Sequence, residues 1–377
     1  LVVGSGLMLR SFAALQEVDA GFDPDGLLTF QVFLAAGRYP DGNATGPFIR
    51  DLTERLATIP GVSGVVAMSG LPPLRQVNAN DIDFEDYTPA TGDPPENIDY
   101  YQFVHGDYFD VMGIDIVAGR PFHAGDADTV ALVAILNERA VETFFRDLDP
   151  IGRRVNIFGV TRPLTIVGVA RDVKQGGLSE EVGTEIYFYN PQVASLGFAI
   201  RAMNVAVRVE RGDPLALAGE VRRIVAGLDP ALPVASLQTM EQNMAGAITR
   251  PRFLTMLLGI FAAVALALAA IGTYGVMAYS VAERSHEFGI RMAMGARSRG
   301  VLAMVLRSGM ATAGIGVALG IAGAFVATRL MESMLFGVGT RDLPTFLAAP
   351  VVLLAVAAAA SLIPARRATR LDPANVL

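Results

Sequence analysis

The chain has 377 residues, 52% of them hydrophobic, and a formal net charge of −7. It contains no Cys, which excludes disulfide frameworks, thiolate metal sites and Cys nucleophiles. The charge is uneven, because residues 1–249 hold 18 Arg and Lys against 32 Asp and Glu, whereas residues 250–377 hold 12 against 5. An acidic block of this kind offers no basic face for phosphates, so we do not expect a nucleic acid as a partner.

The chain begins with an apolar stretch, residues 1–9. Nine residues cannot span a bilayer, since a membrane helix needs about 20. We therefore expect residues 1–18 to form the end of a transmembrane helix that begins before Leu1, which makes the chain a fragment. A signal-peptide remnant is the alternative, but the stretch has no basic leader and no A-x-A-like cleavage site follows it.

The acidic block that follows, residues 19–249, alternates between strand and helix patterns. Its two ends repeat one order of elements: a strand at 27–34, a helix at 46–59 and a strand at 62–68, then a strand at 204–210, a helix at 214–228 and a strand at 234–237. We predict an α+β domain in which residues 25–97 and 198–245 form one subdomain. Residues 98–197 would form a second, inserted subdomain with its own strands at 131–136, 164–170 and 185–189 and a helix at 137–145.

Three charge-free stretches follow, at residues 253–282, 308–328 and 343–365. Each is long enough to cross a hydrocarbon core as an α-helix, so the chain is predicted to be an integral membrane protein. The spans contain no Asp, Glu, Lys, Arg or His, which argues against an ion or proton relay inside them. Gly316 and Gly320 stand one turn apart and predict a helix-packing face, within the chain or between chains. The alternative is that Gly is simply frequent in membrane helices.

The short loops predict the orientation. Residues 283–307 hold five Arg and two Glu, and three Arg lie in the tail that begins at Arg366, whereas the charges between the second and third spans cancel. By the positive-inside rule the Arg-rich segments lie in the cytoplasm and the large acidic domain lies outside.

Residues 283–299 form the most specific motif. Glu287 and Arg291 stand four apart in the order that supports a helix, and Phe288 and Met292 form an apolar pair at the same spacing. A short helix is predicted, with small residues that would let a partner approach closely. From spacing alone, a partner-binding helix and a basic helix lying on anionic headgroups remain equally open.

Other chemistry is not indicated. The phosphate-binding pattern G-x-x-x-x-G-K-[ST] is missing, so no nucleotide cofactor is predicted and the chain is not expected to be an enzyme; any ATP dependence must come from another chain. His105, His123 and His286 are isolated, so we expect structural or surface roles rather than metal ligation. The acidic segment 81–86 fails the EF-hand test, because Asp86 and Gly92 stand where Gly and Glu are needed, and we predict a solvated loop there.

Residues 287–296, together with residues 271–284, 363–368, Asp372 and Pro373, resemble the membrane domain of FtsX-like ABC transporter permeases. The acidic block is similar to the MacB-type periplasmic core, in the segments 18–24, 106–109, 118–120, 150–153 and 228–230 among others. The resemblance covers nearly the whole chain, and it is nearest to large bacterial permeases that carry this unit twice in one polypeptide.

The resemblance implies a membrane α-helical permease domain, residues 250–377, and an α+β extracytoplasmic domain with a porter-like and an inserted subdomain. It implies a multi-pass protein of the bacterial inner membrane that works with a separate ABC ATPase and a second permease unit, identical or fused, and in some cases with an outer protein partner. The function would be efflux, lipoprotein handling or mechanotransmission; the alternative is a membrane-anchored sensor or scaffold that ATP does not drive. The residues that would form the ATPase-coupling helix are Glu287, Phe288, Gly289, Ile290, Arg291, Met292, Gly295 and Ala296.

Overall fold

The structure is a computed structural model that describes residues 1–85, 87, 95–129, 131–146, 148–294 and 296–369, without the side chains of residues 128 and 293. The chain divides into two units. We call Val18–Ile248 the α+β unit, and Leu1–Glu17 with Thr249–Leu377 the helical unit.

The described residues form twelve strands and ten α-helices. The strands are β1 (Leu27–Phe33), β2 (Val62–Met68), β3 (Asn80–Phe84), β4 (Asn97–Ile98), β5 (Tyr100–His105), β6 (Ile116–Gly119), β7 (Leu132–Asn137), β8 (Arg154–Ile157), β9 (Leu164–Ala170), β10 (Glu185–Tyr189), β11 (Ala202–Val209) and β12 (Ala235–Thr239). The helices are α1 (Val2–Gln16), α2 (Gly42–Ala57), α3 (Tyr108–Met112), α4 (Glu138–Phe144), α5 (Ala218–Leu228), α6 (Met240–Ala247), α7 (Thr249–Glu283), α8 (Ser285–Ala293), α9 (Ser298–Ala327) and α10 (Leu343–Ala368). Short 3-10 turns cover Ala124–Asp128, Asn190–Gln192, Pro214–Leu217 and Thr328–Met334.

Four strands at one end of the α+β unit lie in the order β12-β1-β11-β2. β1 and β2 each pair antiparallel with β11, and β12 pairs antiparallel with β1. Two strand-helix-strand segments with their strands interleaved in this way form a split β-α-β sheet. The predicted strands and helices at both ends of the block are therefore confirmed. α2 begins at Gly42, earlier than predicted, because the Asp41 carboxylate accepts a hydrogen bond from the Ala44 N–H at 3.1 Å and caps it.

One face of this four-stranded sheet is the first core of the unit. Leu28, Phe30 and Val32 alternate along β1 and pack with Ile49 and Leu52 of α2. The residues between them on β1, such as Gln31, therefore point to the opposite face, which carries polar side chains.

The sheet does not end at β2. β5 pairs with β2 at His105 and Val104, and the path continues through β10, β7, β9, β8, β3 and β4, with β6 beside β9. β5 is parallel to β10, and β7 is parallel to β9. A second core lies on this part of the sheet, with the rings of Phe103 and Phe188 4.9 Å apart between their centroids.

The predicted boundary of the inserted subdomain is wrong for β3. That strand was assigned to the porter-like subdomain, 25–97, but it pairs with β8, and Ile82 and Phe84 are buried in the second core. The polar residues between them lie on the exposed face, so segment 81–84 is also not the predicted loop; Asp86 and Gly92 lie outside the described residues. Pairing with a distant strand leaves no local signal, which is why the prediction failed.

The helical unit contains three helices that are long and apolar enough to cross a membrane: residues 249–283, 298–334 and 343–368. They contain the three predicted spans. α10 packs against both α7 and α9, and α1 packs against α7 and α10. Near the start of α10, Val3 and Leu7 of α1 are buried against Phe346 and Ala349.

Candidate coupling site in the helical unit

The segment between α7 and α9 contains the predicted short helix, α8. α7 ends at Glu283, and α8 begins at Ser285, so the chain changes direction over Arg284. The Phe288 N–H donates to the Arg284 carbonyl at 3.0 Å, which starts the first turn of α8. The position of α8 is thus defined by the end of one membrane helix and the start of the next.

One face of α8 is buried within the unit. The Phe288 side chain is 3% exposed and packs with Met277 and Val281 of α7 and with Val301 and Val305 of α9. Burying an aromatic side chain of this size stabilises a fold by about 1.5–3 kcal/mol, so Phe288 anchors α8 to both neighbours.

Met292 lies one turn further along the same face and is partly buried against the same cluster. Gly289 is also buried. Three of the predicted coupling residues, Phe288, Gly289 and Met292, therefore face the helical unit itself.

The other face of α8 is mostly exposed, although the Arg291 guanidinium donates to the Met304 Sδ of α9 at 3.2 Å. Glu287, Ile290 and Arg291 are exposed, and Met294, just after the helix, is 84% exposed. An ion pair joins the Glu287 carboxylate to the Arg291 guanidinium at 2.7 Å, four residues apart. Such exposed pairs contribute only about 0.3–0.5 kcal/mol, so this pair orients the side chains more than it stabilises α8.

The predicted coupling residues thus divide into two groups. Glu287, Ile290 and Arg291 share the uncovered face, and Ala296 follows it and is exposed. Gly295 lies outside the described residues. The four residues that pack around Phe288 were not predicted from the sequence. The pattern that could have indicated them is the four-residue spacing of Met277 and Val281 and of Val301 and Val305.

Close packing of α9 occurs at a different Gly from the predicted pair. A Cβ atom at Gly309 would lie 2.8 Å from the Ser361 Oγ and 3.2 Å from the Met277 Sδ, so α9 approaches α10 and α7 there. At Gly316 and Gly320, no described atom would lie within 4 Å of such a Cβ. The prediction that Gly316 and Gly320 form a packing face is therefore wrong for contacts within the described chain. A packing face between two chains stays a prediction.

The three His residues occupy separate places. His105 ends β5, where burial lowers its pKa to about 4. His123 lies 3.5 Å from the Asp126 carboxylate, which also binds Arg120 and has a lowered pKa. His286 is on α8. Within the described ranges, no three His, Asp or Glu residues come together as a metal site.

Comparison with known proteins identifies the family. The family model of the FtsX-like permease C-terminal domain matches residues 259–373, and that of the MacB-like periplasmic core domain matches residues 6–224. The chain belongs to the MacB-like ABC transporter permeases. α8, α9, α10 and most of α7 lie in the FtsX-like part, and most of the α+β unit lies in the MacB-like part.

Several relatives of this MacB-like permease are known. The macrolide export ATP-binding/permease protein MacB of Chromobacterium violaceum is 28% identical over 74% of this chain, and the match spans 44% of that protein. The ABC transporter permease YknZ of Bacillus subtilis is 26% identical over 73% of this chain and 68% of its own length. The solved periplasmic region of MacB from Actinobacillus actinomycetemcomitans matches with a TM-score of 0.42 and 14% identity, over 63% of this chain and 98% of that structure.

Proposed function

We propose that this MacB-like permease couples a separate ABC ATPase to a conformational change of its α+β unit, and that α8 is the contact. The observation that supports the proposal is that α8 has one buried and one exposed face. Phe288 is buried between α7 and α9, whereas Ile290, Arg291 and Met294 are exposed. A helix that is packed on one face and exposed on the other can bind a partner on its exposed face and transmit the resulting displacement to the helices against which it packs.

The anchoring supports force transmission. Phe288 contacts both α7 and α9, so displacement of α8 moves two membrane helices together. α7 is one helix of 35 residues, which at 1.5 Å per residue is about 52 Å long. This exceeds the roughly 30 Å of a hydrocarbon core, so α7 is long enough to carry displacement from one side of a bilayer to the other.

The Arg-rich loops support the orientation that this mechanism needs. They favour α8 in the cytoplasm of a bacterium, where ATP is available, and the acidic α+β unit on the extracytoplasmic side of the inner membrane. We propose a second permease unit, identical or fused, that contacts α9 at Gly316 and Gly320, whose faces are open in the described chain. The output would be efflux, lipoprotein handling or mechanotransmission to an outer protein.

The proposal is tested by co-purification with one matched pair of variants. Met294→Asp places a charge on the uncovered face next to α8, whereas Met334→Asp makes the same change in the loop that follows α9, which the orientation places on the opposite side. Each variant is expressed with the ATP-binding subunit encoded nearest to its gene, solubilised in detergent and recovered through a tag on the permease. We expect Met294→Asp to lose the ATPase and Met334→Asp to retain it.

Equal recovery of the ATPase with both variants would contradict the proposal. A permease that recovers no ATPase even without substitution would favour the anchored sensor instead. Phe288→Asp is unsuitable as a test of contact, because Phe288 is buried and its replacement would damage the helical unit itself.

A further inference from the structure

A polar cavity of about 310 Å³ lies in the α+β unit, on the face of the four-stranded sheet opposite α2. Its floor carries Gln31 of β1, Asn204 of β11 and Gln238 of β12. These side chains share the face because the residues that flank them on β1 and β11, such as Phe30 and Val205, point into the first core.

The roof of the cavity is the segment from Ser69 to Arg75, which follows β2. It is held at its last residue and at its middle. The Arg75 N–H donates to the Gln175 carbonyl at 2.9 Å, and the Asn243 side chain of α6 donates to the Pro72 carbonyl at 3.2 Å. The cavity is therefore formed before any ligand arrives, which lowers the ordering cost of binding.

The floor amides keep hydrogen-bonding capacity for a ligand. Gln238 donates to Asn243 at 3.1 Å and Asn204 donates to the Ser69 carbonyl at 3.4 Å, so these bonds use the amide N–H groups and leave the side-chain oxygens as acceptors. The Gln31 carboxamide makes no hydrogen bond with any described residue. The floor thus offers at least one N–H donor and two or more carbonyl acceptors.

The cavity has no net charge to offer. Arg75 is its one charged lining residue within the described chain, and its guanidinium is already bound to Glu185 at 3.1 Å and to the Tyr101 carbonyl at 2.8 Å. The remaining lining side chains are amides, hydroxyls and the apolar Phe30, Leu71 and Leu74. An anionic or cationic ligand would find no counter-charge here.

The chemistry of the lining separates a peptide from a sugar. A carboxamide presents a donor and an acceptor in the same geometry as a peptide group, and Leu74, 53% exposed, offers an apolar contact for one side chain. Sugars bind well where an aromatic ring is open to them, but the one described aromatic at the cavity, Phe30, is 2% exposed.

The open edge of the sheet at β12 also favours a peptide as the ligand. β12 is the last strand of the sheet path, so its outer edge has no partner strand among the described residues. Its pairing with β1 shifts between Thr29 and Gln31, and Ser236 there adopts a φ of 50°, a left-handed conformation that strains a non-Gly residue. An exposed strand edge can accept an extended peptide as an added strand, whereas the irregular pairing lies on the other side of β12, towards β1.

We propose that this cavity is a binding site for a short, uncharged, extended peptide segment, held by the amides of Gln31, Asn204 and Gln238. The proposal goes beyond coupling to an ATPase and does not depend on it. The segment would come from a secreted or extracytoplasmic peptide, since the α+β unit is placed outside by the proposed orientation.

The test uses the absence of Cys from the chain. Ser236→Cys places one thiol at the cavity, and Ser195→Cys places one at an exposed site away from it; each is made in the whole chain in detergent and labelled with a maleimide dye. The probe is N-acetyl-Ala-Leu-Ala-amide at about 10 mM, and the comparison ligand is maltotriose. At roughly ten times a Kd of about 1 mM, the peptide should slow labelling at the cavity about tenfold.

The peptide should protect Ser236→Cys and leave Ser195→Cys unchanged, and maltotriose should protect neither. If Ser236→Cys does not fold, because its backbone is strained, Leu74→Cys serves as the second reporter. Adding Gln31→Leu to the reporter should remove most of the protection. The proposal is overturned by labelling that the peptide does not slow, by equal slowing at Ser195→Cys, or by protection from maltotriose alone. The assay contains no ATP and no ATPase, so its failure leaves the coupling proposal standing.

Discussion

The Arg75 guanidinium lies 3.1 Å from the Glu185 carboxylate, and both side chains are almost completely buried. Glu185 also accepts hydrogen bonds from Gln175 at 2.9 Å and from Tyr187 at 2.8 Å. Burial raises the pKa of Glu185 to about 7, although the adjacent Arg75 charge lowers it. The pair joins the segment after β2 to β10, from which β2 is separated in the sheet by β5 alone.

Removing one member of this pair should destabilise the α+β unit strongly. At pH 8, above the Glu185 pKa of about 7, Arg75→Met leaves a buried carboxylate without its cation, and we expect a loss of about 3–5 kcal/mol in the free energy of unfolding. Arg75→Met combined with Glu185→Gln removes both charges and should lose less than Arg75→Met alone. Urea unfolding in detergent, followed by near-ultraviolet circular dichroism, measures this; a double variant less stable than Arg75→Met would contradict it.

His105 should make the α+β unit sensitive to acid. Burial is the first cause of its lowered pKa, about 4 against an ordinary value of 6.5, and the Arg50 charge is the second. The unfolded chain therefore binds a proton between these two values that the folded chain does not, so stability falls as the pH is lowered through this window.

The measurement for His105 compares thermal unfolding of the unsubstituted protein and of His105→Gln at several pH values between 7 and 4.5. We expect the difference in melting temperature to shift in favour of His105→Gln as the pH falls. Parallel pH profiles for the two proteins would show that His105 does not contribute.

α8 offers a contrast between its two faces. Phe288→Ala should destabilise the helical unit by about 3–5 kcal/mol, because it leaves a cavity between α7 and α9. Met294→Ala removes a side chain that is 84% exposed, so we expect a change within about 0.5 kcal/mol. Thermal unfolding of the two variants in detergent provides the measurement. Equal decreases in melting temperature would contradict the role of Phe288 as the residue that anchors α8.

α9 offers the same kind of contrast between two Gly residues. Gly309→Leu forces a side chain against Ser361 and Met277, and overpacking of this kind costs about 1–3 kcal/mol. Gly316→Leu meets no described atom, so the melting temperature of the single chain should stay near that of the unsubstituted protein. If Gly316 contacts a second permease unit, Gly316→Leu should instead lower the fraction of dimer measured by light scattering.

The features that the sequence predicts well are those with a local signal. The three spans depend only on the length of apolar runs, and strands such as β1 and β11 depend on short hydrophobic patterns bounded by turns. The Glu287 to Arg291 spacing likewise predicts α8 without knowledge of its neighbours.

The features that the sequence does not predict depend on distant parts of the chain. β3 forms a strand by pairing with β8, and the burial of Phe288 depends on the packing of α7 and α9 around it. Gly309 and Gly316 are equally small, and only the position of Ser361 on α10 decides which of them is a close contact. The cavity over Gln31 has no sequence pattern, because its lining comes from three strands and from the segment after β2.

α6 ends at Ala247 and α7 begins at Thr249, so a single residue, Ile248, joins them. One residue supplies only two soft torsion angles, and a tether this short has little slack. Asn243, on α6, holds the roof of the peptide cavity. Within the α+β unit, the shape of the segment over the cavity therefore depends on where α6 lies.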